Sequence, residues 1–385
     1  MTEIPNRGFP EAEFLARTQH AQTLMANRGL DGMLLMTEPE VRYFSGFQTL
    51  FWQSPTRPWF LFVPATGKPI AIIPEIGAAL MRTTWIDDIR TWPAPVPDDD
   101  GVSLLVDLLG SLGAAQIGLL KGPETKLQMP LADFEHVTAK TNVSFEDCTQ
   151  IVRQLRMVKS PAEIEKLAHI CAIGAATFAK VPNFANPGVP QSEVFRQFRR
   201  EALSQGADDA PYVVGGADQG GYSDIISPPS DVPLRNGDIL MLDTGCVWDG
   251  YFCDFDRNFA IGSADDASRR AYDVLWRATE AGLAAARPGA TCRELYQAMR
   301  DVCVVMDQGG GDVGRLGHGL GMQLTEWPSH AAFDTTVLQE NMVITLEPSL
   351  SYGDGRMMVH EENIVIQDGA PRLLTTRAAP DMPVI

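Results

Sequence analysis

Positive charge is scarce in this 385-residue chain, where 31 Lys and Arg stand against 49 Asp and Glu for a formal net charge of -18. A nucleic-acid partner requires a basic surface to neutralise phosphates, so that class of function is set aside. The chain also lacks any apolar run near the roughly 20 residues that span a bilayer, and its opening MTEIPNRGF has neither the charged nor the apolar region of a signal peptide. No membrane partner is expected, and the expected location is the cytoplasm. The cysteines Cys148, Cys171, Cys246, Cys253, Cys292 and Cys303 show neither CxxC nor paired zinc spacing. Free, mostly buried thiols in a reducing compartment are therefore expected.

What remains is an ordinary globular composition, 45% hydrophobic and 21% charged, in a chain long enough for two domains. In the first, apolar positions over 11–28 ending at Gly29 predict an amphipathic helix. Short β-like runs follow at 32–36, 59–64 and 69–74, the last two split by the turn signal ATGK, which gives a mixed α/β domain over 1–152. The second, 153–385, opens on a strong helix start with Ser160 as N-cap, Pro161 at the first helical position and Glu163 completing a capping box. Thr291 and Glu294 repeat that spacing before LYQAMRDVCVVM.

The densest chemical signal is LMLDTGCVWDGYFCDFDRN at 240–258, two apolar runs about an Asp249-Gly250 turn. A hairpin there is expected to set Asp243 beside Asp254. Two adjacent carboxylates repel unless a proton, an arginine or a metal ion lies between them. Further on come His318 in GRLGHGLG, Glu347 in ITLEPSL and Glu361 in MVHEENIVI. Taken singly, a His between glycines reads as a turn or core residue and a Glu beside a strand as solvated. As a set, Asp, Asp, His, Glu and Glu suit Mn, Co, Zn or Fe, since imidazole favours a borderline metal over Mg or Ca.

The order and contexts of these five residues resemble the pita-bread metallopeptidases, which include aminopeptidase P, prolidase, methionine aminopeptidase and the metal-free creatinase. RMVKSPAEIEKL at 156–167 is similar to the start of that family's catalytic domain, and VRYFSGF at 41–47 to its amino-terminal domain. The resemblance implies an α+β chain: a curved antiparallel sheet with outer helices, preceded by a smaller, mixed α/β creatinase-like domain. It implies two divalent ions, with Asp243 chelating one, Asp254 and Glu361 bridging both, His318 and Glu347 on the second, and Glu347 also serving as general base. A homodimer and a small peptide or amidated-metabolite substrate are implied with it.

The departures from the family concern substrate. A histidine seven residues after the ligand His is Thr325 here, a second substrate-side histidine is Ile226, and an arginine two residues before the last Glu is Val359. Asp256 stands where the family usually has Thr, with pairing to Arg257 or Arg356 as its expected role. Candidate pocket residues are Trp52, Asp256, Thr325, Glu326, His330 and Arg356, whereas His360 is expected to face away from Glu361. The function implied is a metal-dependent hydrolase of a C–N bond, of the Xaa-Pro dipeptidase or aminopeptidase P type. The alternative is a non-peptidase enzyme on the same scaffold, such as a creatinase-like or ectoine hydrolase-like amidohydrolase or a dimethylsulfoniopropionate lyase. A non-catalytic binding module is the third reading.

Overall fold

A computed structural model describes residues 4–53, 57–309, 314–353 and 355–385. The chain divides into two compact units, Asn6–Arg156 and, with the described residues before Asn6, Met157–Ile385.

The first unit holds strands β1 (Gly32–Leu35), β2 (Phe60–Pro64), β3 (Ile70–Pro74), β4 (Asp88–Trp92), β5 (Gln116–Leu119) and β6 (Ser144–Asp147). Its helices are α1 (Glu11–Ala26), α2 (Glu38–Ser45), α3 (Ala78–Met81), α4 (Val102–Ser111), α5 (Leu131–Lys140) and α6 (Thr149–Met157). The six strands form one mixed sheet in the order β4-β3-β2-β1-β5-β6, and the three apolar runs legible in the sequence are β1 to β3. Their near-continuous apolar character reflects burial on both faces: Leu34, Phe60, Phe62 and Ile72 lie in a core with Leu105 and Leu109 of α4. Trp52 sits in a single 3-10 turn (Leu50–Gln53) with its ring centroid 5.7 Å from that of Trp59. It is part of this unit's own aromatic packing.

In the second unit, helices α7 (Pro161–Phe178), α8 (Gln191–Ser204), α9 (Asp266–Ala285) and α10 (Cys292–Cys303) accompany antiparallel strands. Both expected capping boxes are present, at Ser160 with Glu163 and at Thr291 with Glu294. One sheet has the order β10-β8-β7, from β10 (Phe255–Ala260), β8 (Asp238–Trp248) and β7 (Asp209–Gln219), with β9 (Tyr251–Phe252) also on β8. A second has the order β12-β11-β13-β16-β17, from β11 (His318–Gly319), β12 (Glu326–Ser329), β13 (Val343–Leu346), β16 (Glu362–Val365) and β17 (Arg372–Leu373). Strands β14 (Ser349–Tyr352) and β15 (Arg356–Val359) pair as a hairpin. Leu275 and Ala278 of α9 pack into a core with Leu350 and Met358 of that hairpin. All six cysteines are unpaired and buried.

The β8–β9 turn is as tight as its sequence indicates. Asp249 and Gly250 have φ of 47° and 74°, the left-handed pair that a two-residue hairpin turn requires. That turn corrects one expectation. Centred between residues 249 and 250, it pairs Asp243 directly with Asp256. Asp254 lies one step away, in the break between β9 and β10.

Candidate metal centre

The ends of several strands bring the acidic residues of the second unit together. Asp254, His318 and Glu361 each offer one oxygen or nitrogen, and these atoms lie within 4.8 Å of one another. Glu347 adjoins them, its Oε2 3.9 Å from His318 Nε2. Its side chain is 26% exposed, against 5% for His318 and 6% for Asp254, so Glu347 is the most accessible of the three. Asp243, on β8, is linked electrostatically to both Asp254 and Glu347.

The glycines about His318 follow from close backbone approach. A Cβ on Gly317 would lie 2.4 Å from the Thr345 carbonyl oxygen, and one on Gly319 would lie 2.0 Å from that of Trp327. Only glycine fits at either place.

The charge state of the cluster is unusual. Burial, followed by the Glu347 charge, pushes the Asp243 carboxyl up to about 7, and the surrounding protein raises Glu347 in the same direction although its side chain is partly exposed. Asp254 and Glu361 are raised well above the ordinary carboxylate range, by burial first and then by repulsion from the other acids. The guanidinium of Arg315 pulls Asp254 and Glu347 in the other direction without offsetting this. Oδ1 of Asp243 and Oε1 of Glu361 are buried with no hydrogen-bond partner among the described residues.

The imidazole of His318 decides what the cluster accepts. Its Nδ1 lies 2.9 Å from the Gly319 carbonyl oxygen, which can only accept, so the proton is on Nδ1. Burial lowers its pKa to about 4, leaving the ring neutral. The Nε2 lone pair then faces Asp254 Oδ2 at 3.4 Å and Glu347 Oε2 at 3.9 Å. A lone pair aimed at carboxylates is repulsive unless a proton on one of them or a metal ion stands between them. An acceptor set of carboxylate oxygens and one oriented imidazole fits a divalent metal of the Mn, Co, Zn or Fe class.

The remaining candidates lie at varying remove. Asp256 is buried beside Asp243, with Oδ2 accepting from Asn258 Nδ2 at 2.8 Å and Oδ1 without a partner among the described residues. The expected pairing of its carboxylate with Arg257 or Arg356 does not occur: Arg257 donates to the main-chain oxygens of Asp256 and Glu361 and to Glu362, and Arg356 pairs with Asp265. Glu326 forms a buried ion pair with Lys159 at 3.1 Å, so its carboxylate is committed within the protein. Thr325 and Ile226 are both exposed. His330 is fully buried next to Gly317, and burial lowers its pKa to about 3. His360 faces away from the cluster, with Nδ1 2.9 Å from Thr279 Oγ1 and its ring edge-on to Tyr272.

Two neighbours of the cluster escaped sequence reasoning. Arg315 lies three residues before His318 in GRLGHGLG, where an arginine beside glycines reads as a solvated loop residue. The Tyr212 phenol is raised by burial and then by Asp243, Asp254, Glu361 and Glu347. Its signal was only that of a strand residue.

Comparison with known proteins bears on the same site. Residues 165–368 match the model of metallopeptidase family M24, and residues 17–158 match the creatinase/prolidase N-terminal domain. The chain belongs to metallopeptidase family M24. It is 29% identical over 372 residues to the probable dipeptidase PepE of Mycobacterium tuberculosis, covering 95% of both chains. It is 27% identical over 248 residues to the Xaa-Pro dipeptidase of Pyrococcus furiosus, covering 63% of this chain and 70% of that one. Among solved structures, dipeptidase PepE from Mycobacterium ulcerans superposes with a TM-score of 0.84 at 27% identity, covering 98% and 99% of the two chains. This M24 member thus has the pita-bread architecture that its motifs imply.

Proposed function

We propose that this M24 protein is a dinuclear metal-dependent hydrolase of C–N bonds that cleaves dipeptides, with Asp243, Asp254, His318, Glu347 and Glu361 as metal ligands. The observation that carries the reading is the His318 Nε2 lone pair, fixed by the Nδ1–Gly319 contact and directed at two carboxylates. Two divalent ions of the Mn, Co, Zn or Fe class, when bound there, supply Lewis acidity toward a substrate carbonyl and activate water at neutral pH. The accessible Glu347 is the general base, taking the proton of the attacking water on a carboxylate oxygen and delivering it to the leaving nitrogen. Tyr212 and Arg315, which interact electrostatically with the cluster, are further candidates to meet substrate. The names of the relatives, dipeptidase and Xaa-Pro dipeptidase, support a short peptide as substrate.

A second reading, a small amidated metabolite in place of a peptide, draws on a specific observation. Ile226 and Thr325 stand where the family's peptidases use histidines, and neither side chain carries a titratable proton. If those imidazoles act as acid-base groups in relatives, their loss costs roughly 10²-fold or more. On this reading Xaa-Pro dipeptides are poor substrates and a small non-peptide amide is preferred. The test is metal analysis of protein purified without chelator, then assays with manganese or cobalt against Xaa-Pro dipeptides, other dipeptides and small amides. A kcat/KM for a proline dipeptide of about 10⁴ M⁻¹s⁻¹ or above would overturn the specificity. Turnover of a small amide with none of any dipeptide would select the second reading. Six unpaired thiols support a cytoplasmic location. The homodimer rests on the family resemblance and is checked by sedimentation.

A further inference from the structure

We propose that Thr345 and Asn363, a directly opposed pair on β13 and β16, are positioning residues that set the spacing between Asp254 and His318 by gripping their main chains. This rests on the reading of those two as metal ligands. Both partners are fully buried and face each other across the ladder, so their side chains leave the sheet on the same face. Glu361 precedes Asn363 by two positions and shares that face.

Asp254 needs such support because its main-chain N–H and C=O face away from β8. The ladder with β8 includes Phe252 opposite Val247 and resumes at Phe255 opposite Thr244, which leaves Asp254 between two paired segments. The Cys253 N–H donates to the Cys246 carbonyl oxygen at 3.0 Å, so the alternation of the antiparallel ladder turns the N–H and C=O of Asp254 away from β8, and the Asn363 side chain meets both. Its Oδ1 accepts from the Asp254 N–H at 3.0 Å, and its Nδ2 donates to the Asp254 carbonyl oxygen. The Cys171 thiol of α7, 3.3 Å away, donates to the same Oδ1 and fixes which end of the amide points which way. An amide that both accepts and donates is required here, since a buried N–H and a buried C=O must both be satisfied.

On the neighbouring strand, Thr345 does the corresponding work for the imidazole. Its Oγ1 accepts from the His318 N–H at 3.1 Å. With the ring already turned by the Gly319 contact, this leaves His318 little freedom to move relative to β13. One cross-strand pair thereby joins the strand break that carries Asp254 to the strand that carries His318. Two anchored main chains hold these ligands at one separation whether or not an ion is present. A purely structural role, satisfying buried backbone groups, would stabilise the fold without tuning the site.

The test uses the full-length protein loaded with cobalt(II) and reads calorimetric affinity and the visible absorption spectrum, with melting temperature measured on the metal-free form. Thr345→Val removes the hydroxyl at nearly constant volume, and Thr345→Ser restores it. Thr345→Val is expected to lose on the order of 10- to 100-fold in affinity for at least one ion, with a changed spectrum, while Thr345→Ser stays near wild type. Asn363→Leu, which removes both contacts to Asp254, is expected to lose at least as much. Should Asn363→Leu fail to fold, the threonine pair decides. Variants that keep wild-type affinity and spectrum while only melting earlier overturn the proposal, as does a Thr345→Ser variant as weak as Thr345→Val. If wild-type protein takes up no cobalt, the metal reading itself has failed and this proposal goes with it.

Discussion

Glu361 and Glu362 are consecutive, both buried, and opposite in fate. Glu362 accepts from Arg257 at 3.0 Å, from Arg377 at 3.1 Å, from the Ala378 N–H at 2.9 Å and from the Thr375 hydroxyl. Burial alone would push its carboxyl up, but the Arg257 guanidinium and these donors outweigh it and hold it below the usual range. Glu361, facing the other way, has Oε1 without a hydrogen-bond partner among the described residues and a pKa raised well above the usual range by burial and by Asp254, Glu347 and Asp243. The same residue type at the same depth is saturated with protein cations on one face, whereas on the other Arg315 acts only on the neighbouring Asp254 and Glu347 without offsetting the effect of burial. A fold able to place two arginines on Glu362 has the means to neutralise a buried acid. The acids around Glu361 fit the divalent ions proposed for them.

The largest expected effect comes from breaking the unsaturated face. Asp254→Ala removes a carboxylate proposed to serve both ions, and should cost several kcal/mol of transition-state stabilisation, a loss on the order of 10³-fold in kcat/KM. Chelation of the wild type should reproduce that loss and also lower its melting temperature, since an ion held at about 1,000 times its Kd contributes roughly 4 kcal/mol to the folded state. An Asp254→Ala protein that retains metal and turnover would refute the bridging role, and the contrast with Glu362 would then be one of packing alone.

One side of this contrast, the acid cluster, is legible in the sequence, whereas nothing in the sequence marks Glu362. The five acid and imidazole positions stood out by order and local context, and the capping boxes at Ser160 and Thr291 placed two helices correctly because that signal is local. Register was harder. The Asp249-Gly250 turn was recognised, but moving its centre by a single residue exchanges the residue opposite Asp243, and the true partner is Asp256. Harder still were long-range contacts: nothing near residue 326 in sequence announces Lys159 as its partner, and Asn363 gives no hint that it closes the backbone of Asp254. Arg315 and Tyr212 acquire significance only once folding has brought the carboxylates to them.

The next effect sharpens the comparison through stability. Glu362→Gln leaves Arg257 and Arg377 without their shared carboxylate and is expected to destabilise the protein by about 3 kcal/mol. Because the folded-state pKa of Glu362 lies below its unfolded value, near 4.3, its contribution is complete above that value and is lost as pH falls through the folded one. Glu362→Gln should therefore flatten the acid side of the stability curve. Glu361→Gln, tested in metal-free protein, removes one member of a mutually repelling set, so no loss, or a gain of up to about 1 kcal/mol, is expected. Denaturant melts of both variants between pH 3 and 8 decide the matter. Equal destabilisation by the two substitutions would mean that Glu361 is as well satisfied within the fold as Glu362.

The smallest effect is expected at Arg356, a candidate for the substrate pocket on sequence grounds. Its guanidinium pairs with Asp265 at 3.3 Å, where the two side chains are 31% and 48% exposed. An ion pair this open to solvent is screened by water and salt and contributes between 0 and about 1 kcal/mol. Its position in β15 offers a further check, since the strand's hold on the core comes from Met358 and Val359, both buried, and from the Met357 N–H donating to the Tyr222 carbonyl oxygen at 2.7 Å. Arg356→Ala removes none of these. It should shift stability by less than about 1 kcal/mol and leave KM and kcat near wild type. A tenfold rise in KM with kcat unchanged would instead show that the arginine leaves Asp265 to bind substrate, and the region of the molecule that meets substrate would then extend well beyond the acid cluster.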